Sequence, residues 1–120
     1  MNENERDTGI LESMLLYCGQ IREAADVFGD DRERFCQSSV YQNAECMCLL
    51  QIGELAGVLS EGFRAAHDEI PWRKVKALRN ILAHRYGAVD AETAWEIVTN
   101  DLPTLRAFCE SILSADSPAV

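Results

Sequence analysis

Arg79 and His84, five positions apart, are the side-chain types that chemistry at a phosphodiester requires. Histidine exchanges a proton near neutral pH. The planar fork of arginine matches phosphate oxygens. In the cleavage of RNA, one group must take the 2′-hydroxyl proton and another must stabilise the dianionic phosphorane. A His with an Arg can fill both roles without a metal. Strict helical geometry sets the two residues about 140° apart. They converge only if the long Arg side chain wraps round, the helix end distorts, or two chains contribute. On spacing alone the plainer reading holds: a histidine near a helix C-terminus is favoured by the macrodipole.

The surroundings add weight. Between Ile70 and Val89 there are five bases (Arg73, Lys74, Lys76, Arg79, Arg85) and no acid. The 120-residue chain holds 11 bases and 20 acids, a formal charge of -9, so the remainder carries six bases against 20 acids. On a helical wheel Val75, Leu78, Ile81 and Leu82 fall within about 120° and form a stripe to bury. Lys76, Asn80, Arg73 and His84 occupy an opposite arc of roughly 80°. Arg79 sits at the flank of the apolar stripe, with Tyr86 nearly eclipsed below it. A solvated basic stripe is the ordinary meaning of such an arc. The absence of acids over this stretch of so acidic a chain points beyond it.

The elements that must position these residues read as helices. Apolar residues recur at three and four positions, and period-two β-branched runs are absent, so the pattern is all-α. A first helix is expected from about Thr8 to Phe28, capped by Asp7 or Thr8 and stopped by Gly29. Its stripe is Ile10, Met14, Tyr17, Ile21, Ala25 and Phe28. A turn and a short helical segment follow over Asp30 to Phe35. A second long helix starts near Ser38 or Ser39 and runs to about Leu59, with a stripe of Val40, Ala44, Met47, Leu50 or Gln51, Leu55 and Val58. A polar connection leads from Ser60 to Glu69, where His67 reads as incidental. Pro71 is preorganised for the start of the basic helix, which should end near Tyr86 and Gly87. A fourth helix spans Ala91 to about Asn100. Asp101-Leu102-Pro103 should interrupt it before a last helix to about Leu113. The architecture expected is an up-and-down bundle of four to five helices in a single domain over residues 1–120, with a core of about 8–113 and a frayed tail of 114–120.

Composition removes other classes. A net charge of -9 argues against nonspecific coating of nucleic acid and against docking on anionic lipid. No apolar run approaches the ~20 residues needed to span a bilayer. The acidic start, Met1 to Asp7, predicts no secretory signal, so the expected compartment is the cytoplasm. Cys18, Cys36, Cys46, Cys48 and Cys109 are odd in number and irregular in spacing, and read as small hydrophobes. Cys46 and Cys48 point about 200° apart on a helix, so no metal site is expected there. Trp72 and Trp95 read as core or interface anchors. Gly53 reads as a point of close helix approach, and Glu54 as an ion-pair partner for Arg79 or a neighbouring base, with a solvent-facing carboxylate as the alternative.

Arg79-Asn80-Ile81-Leu82-Ala83-His84-Arg85-Tyr86 has the form R-x4-H-x-Y with Asn after the Arg. This resembles the signature of the HEPN superfamily, and specifically the HepT-like toxins of the MntA–HepT toxin–antitoxin type. Tyr41 to Ala44 and Ile52-Gly53-Glu54 are similar to the family's second long helix. Ile70-Pro71-Trp72-Arg73 is similar to the entry of its motif helix, and Trp95 to Val98 with Asp101-Leu102-Pro103 to its C-terminal part. The resemblance implies a HEPN-like bundle whose dimer lets two R-x4-H motifs share a cleft. It implies a metal-independent endoribonuclease acting as a toxin on tRNA or mRNA, with no cofactor. Carried over by position, Arg79 would bind and stabilise the scissile phosphate, His84 would be the acid/base group, and Asn80 would orient the pair. Arg73, Lys76 and Arg85 would add phosphate affinity. Tyr86 matches the tyrosine that a cognate MntA-like nucleotidyltransferase antitoxin adenylylates. The alternative is a non-catalytic binding subunit of a nucleotidyltransferase, using the same basic cleft for a substrate or nucleotide.

Overall fold

The computed structural model describes residues 2–85 and 91–116, with side chains described for 2–79 and 91–115. Every regular element among them is helical. In chain order these are α1 (Glu3–Phe28), α2 (Arg32–Gln37), α3 (Ser39–Val58), α4 (Glu61–Ala66), α5 (Trp72–Arg85), α6 (Ala91–Glu96), a π turn (Ile97–Asp101) and α7 (Leu102–Asp116). The long helix α3 lies at the centre, packed against α1 on one side and α5 on another, and α7 packs against α1.

Local chemistry sets most boundaries. Gly29 stops α1 with φ +104°, a conformation that side chains resist. The Ser38 hydroxyl accepts from the Tyr41 amide and caps α3. The Gln42 amide donates to the carbonyls of Phe35 and Cys36, so the end of α2 is satisfied by the start of α3. Pro71 stands immediately before α5, and its carbonyl accepts the helix's first bond, from Val75.

Four features differ from expectation. The helix α1 begins at Glu3, capped by the Asn2 side chain, and Asp7 lies inside it. Asp7 is 5% exposed and accepts from the amide and hydroxyl of Ser60 at 2.9 and 2.6 Å. The connection after Ser60 contains α4, capped by that same Ser60 hydroxyl. The interruption before Pro103 is a π turn over Ile97–Asp101, and the last helix opens at Leu102, one residue before the proline expected to open it. The Leu102 amide bonds back five residues to Ile97, and the wide turn makes room for a proline that lacks an N–H. The last helix continues past Leu113 to Asp116.

The core is one cluster drawn from all the long helices. In α1 the expected Ile10, Met14, Ile21 and Ala25 are buried, with Leu11 and Cys18 beside them, while Tyr17 and Phe28 are half-buried. The expected face of α3 is wrong by about one residue. Tyr41, Glu45, Cys48, Leu49, Ile52, Gly53 and Ala56 face inward. Val40, Met47 and Val58 are 63%, 51% and 44% exposed. Apolar residues surround this helix, so their period does not single out one face. Tyr41 decides it: the ring stacks on Phe28 and meets Phe35 edge-on. Trp72 and Trp95 are anchors, as expected. Trp72 is buried and donates from Nε1 to the His67 carbonyl at 2.9 Å, while Trp95 packs on Phe35. His67 is not incidental, since its ring lies against Phe63 and Phe108.

All five cysteines are free, and Cys18, Cys46, Cys48 and Cys109 are buried. Burial pushes the thiols of Cys18 and Cys48 up to about 11 and that of Cys109 to about 12. These are packing groups, held away from thiolate chemistry.

Candidate functional site

The basic helix α5 lies along α3 at unusually short range, and Gly53 makes this possible. A Cβ on Gly53 would sit 2.7 Å from the Arg79 amide nitrogen and 3.1 Å from the Val75 carbonyl oxygen. One residue on, Glu54 Oε1 accepts from Arg79 Nε at 2.6 Å. Both side chains are about half exposed. One turn further along α3, Gly57 leaves space for the Lys76 stem, whose Cε would be 3.6 Å from a Cβ there.

These residues form a concavity of about 240 Å³ lined by Gly53, Glu54, Gly57, Val58, Lys76 and Arg79. Two cations stand on the α5 wall and one carboxylate on the α3 wall. The structure therefore brings Lys76 and Arg79 together. Arg73 is exposed on the same helix and does not line the concavity. Asn80, His84 and Arg85 lie on the last two turns of α5, but their side chains are outside the described residues. Tyr86 and Gly87 lie outside them altogether. On its other side α5 borders an apolar groove of about 420 Å³, lined by Ile70, Val75, Leu78, Ile97 and Leu105 among others.

The pairing of Glu54 with Arg79 and the close approach at Gly53 follow the sequence reading. The part played by Gly57 was not read, although a second glycine four residues after Gly53 was the available signal. A second polar feature was also missed. Glu45 is fully buried, and among the described residues neither carboxylate oxygen has a hydrogen-bond partner; the buried Tyr41 hydroxyl has none among them either. Burial pushes the Glu45 carboxyl up to about 8, with Asp30 adding to the shift and Arg22 opposing it. Burial, then Glu45, pushes the Tyr41 phenol up to about 12. Tyr41 also borders a cavity of about 270 Å³ with Arg22, Asp30, Trp95 and Arg106 on its walls.

Among the described residues, no three His, Cys, Asp or Glu side chains gather as a metal-ligand set. No described helix is long and apolar enough to cross a membrane.

Known proteins are similar to this chain in sequence. The family model described as "Ribonuclease HepT-like" matches residues 14–112. A Thermococcus cleftensis protein named "Probable ribonuclease HepT" is 30% identical over 101 residues, covering 80% of this chain and 92% of that one. A Caldanaerobacter subterraneus protein named as a candidate RNase is 30% identical over 106 residues, covering 88% and 93%. A Methanocaldococcus jannaschii protein, also named as a candidate RNase, is 30% identical over 82 residues, covering 68% and 75%. No solved structure matches. With the family model spanning most of the bundle and relatives matched nearly end to end, the chain belongs to the HepT-like ribonuclease family.

Proposed function

We propose that this chain is a metal-independent endoribonuclease, the toxin of a toxin–antitoxin pair, cutting tRNA or mRNA in a cleft shared by two copies. The observation that carries the reading is Arg79 beside Lys76 on the wall of a concavity, on a helix free of acids. His84 takes the 2′-hydroxyl proton, and the 2′-oxygen attacks phosphorus. The bond to the 5′-oxygen breaks, and the imidazolium returns a proton to that leaving oxygen. Arg79 holds the non-bridging oxygens as charge builds on them. Asn80 orients the pair. Arg73, Lys76 and Arg85 bind flanking phosphates. The whole chain acts as a single domain, in the cytoplasm, without a cofactor.

A second copy answers the angular problem. On the helical wheel Arg79 and His84 are about 140° apart, and a partner's histidine meeting Arg79 removes that separation. Val40, Met47 and Val58 fall within about 20° on the wheel of α3, with Glu54 beside them. Their exposed stripe ends at the concavity, where Val58 is a wall. That face is where a second copy would bury apolar surface next to Arg79.

Silencing would act at Tyr86. A MntA-like nucleotidyltransferase that attaches AMP there would place bulk and negative charge at the mouth of the cationic cleft.

The test is cleavage in EDTA by a preparation whose mass is fixed by sedimentation. The wild type is expected to be a dimer and to leave 2′,3′-cyclic phosphate ends, with His84→Ala slower by about 10²–10⁴-fold. RNA bound but left intact by the wild type, or cut equally by both proteins, would overturn the ribonuclease reading in favour of a binding subunit. Co-expression with the nucleotidyltransferase should put AMP on Tyr86, read by mass spectrometry. A silenced toxin with an unmodified tyrosine would show inhibition by binding alone.

A further inference from the structure

We propose that Glu54 is the positioning residue for Arg79, and that Gly53 supplies the backbone approach that lets it act; this rests on the reading of α5 as the phosphate-cleaving helix. Two consecutive residues of α3 fix Arg79 at both ends. Gly53 admits its main chain, with a would-be Cβ only 2.7 Å from the Arg79 amide nitrogen. Glu54 Oε1 takes Nε–H of its side chain at 2.6 Å. The contact joins residues 25 apart in sequence, so it exists only once the two helices are packed.

The atom chosen matters. A guanidinium can grip an anion along two edges, one made with Nε and one made by the two terminal nitrogens. A carboxylate on Nε fixes the rotation of the plane, and with it the direction in which the terminal edge points. Lysine at this position has no planar fork whose rotation a carboxylate could fix.

Affinity does not account for the arrangement. The Glu54 carboxylate lines the same 240 Å³ concavity as Lys76 and Arg79, and its negative charge opposes an incoming phosphate. Stability does not account for it either, since half-exposed ion pairs contribute little. What remains is orientation: a tolerated repulsion in exchange for a fixed fork, which matters most when charge develops on the phosphorane.

The roles have different signatures. In Glu54→Ala, positioning predicts a kcat lower by about tenfold or more, with KM unchanged or lower. A non-cleavable 2′-deoxy oligonucleotide should bind equally or up to about threefold tighter, because a negative charge has gone. The nitrogen-15 resonance of Arg79 Nε–H, assigned with Arg79→Lys, should move and exchange faster with water. Glu54→Gln keeps an oxygen acceptor, so it should restore most of the resonance position and most of the lost kcat. An unmoved Nε–H resonance in Glu54→Ala overturns the proposal, whether or not RNA is cut. A kcat that rises together with binding would make Glu54 a competitor for Arg79. A kcat that falls in step with affinity and melting temperature would make it structural; either result overturns the proposal. If the wild type cuts no RNA, the functional reading fails separately. The proposal then stands only if Glu54→Ala moves the resonance and Glu54→Gln restores most of its position, and falls otherwise.

Discussion

Glu45 and Glu54 stand nine residues apart on α3, on opposite sides of the helix. One faces the core; the other faces the basic helix. Glu45 is fully buried with no hydrogen-bond partner among the described residues, and its carboxyl is pushed up to about 8. Glu54 is about half exposed and holds Arg79 at 2.6 Å. The same side chain on the same helix is thus a cost to the fold at one end and a tool at the other. The difference lies in what each faces. The side towards α1 offers apolar surface, which disfavours a charge. The side towards α5 offers a guanidinium and water.

That contrast is open to test. The largest effect belongs to Glu45. Unfolded, its carboxyl ionises near the ordinary value of 4.5; folded, at about 8. Across that window the unfolded chain binds fewer protons, so stability falls as pH rises and levels off above it. Urea denaturation should show a loss of roughly a few kcal/mol between about pH 5 and pH 8. Glu45→Leu should flatten that decline, and parallel profiles for the two proteins would show that the carboxyl finds a partner.

Gly53→Ala should have a smaller effect. The added methyl meets backbone atoms of α5 rather than a yielding side chain. Overpacking of this kind costs about 1–3 kcal/mol, offset by up to about 1 kcal/mol of helix propensity. A net loss of about 1–2 kcal/mol is expected, with cleavage falling further than the stability change explains. An unchanged denaturation midpoint would mean that the two helices separate at little cost.

Glu54→Ala should be nearly silent in the same urea experiment, within about 0.5 kcal/mol, as for other exposed pairs. A loss comparable to that at Gly53 would erase the distinction between tool and scaffold.

What could be read from the sequence was mostly local. Gly29, Ser38 and Pro71 mark boundaries through chemistry within four residues of themselves, and the helix ends they mark fall within a residue of expectation. The acid-free stretch is helical from Trp72 to Arg85, and its Arg79 meets Glu54, one of the partners foreseen. The face of α3 was not legible. Val40, Met47 and Val58 form as regular a stripe as the true one, and the true one hides a glutamate and a glycine. Asp7 looked like a cap because its real partner, Ser60, is 53 residues away. Pro103 pointed to an interruption, but the form it takes, a π turn, leaves no mark in composition. For the site, residue types and spacing named Arg79, but only packing shows which atom of it is held.

The bond between Asp7 and Ser60 reaches further than its two residues. Ser60 caps α4, and α4 closes on His67, whose carbonyl takes Nε1–H of Trp72 in the first turn of α5. The second turn of the first helix is thereby wired to the start of the basic one. A chain trimmed to begin after Asp7 would keep every residue of the concavity and lose the anchor at the head of this series. The place where a tag is fused or a truncation made at the N-terminus is therefore a choice about the distant helix that carries Arg79.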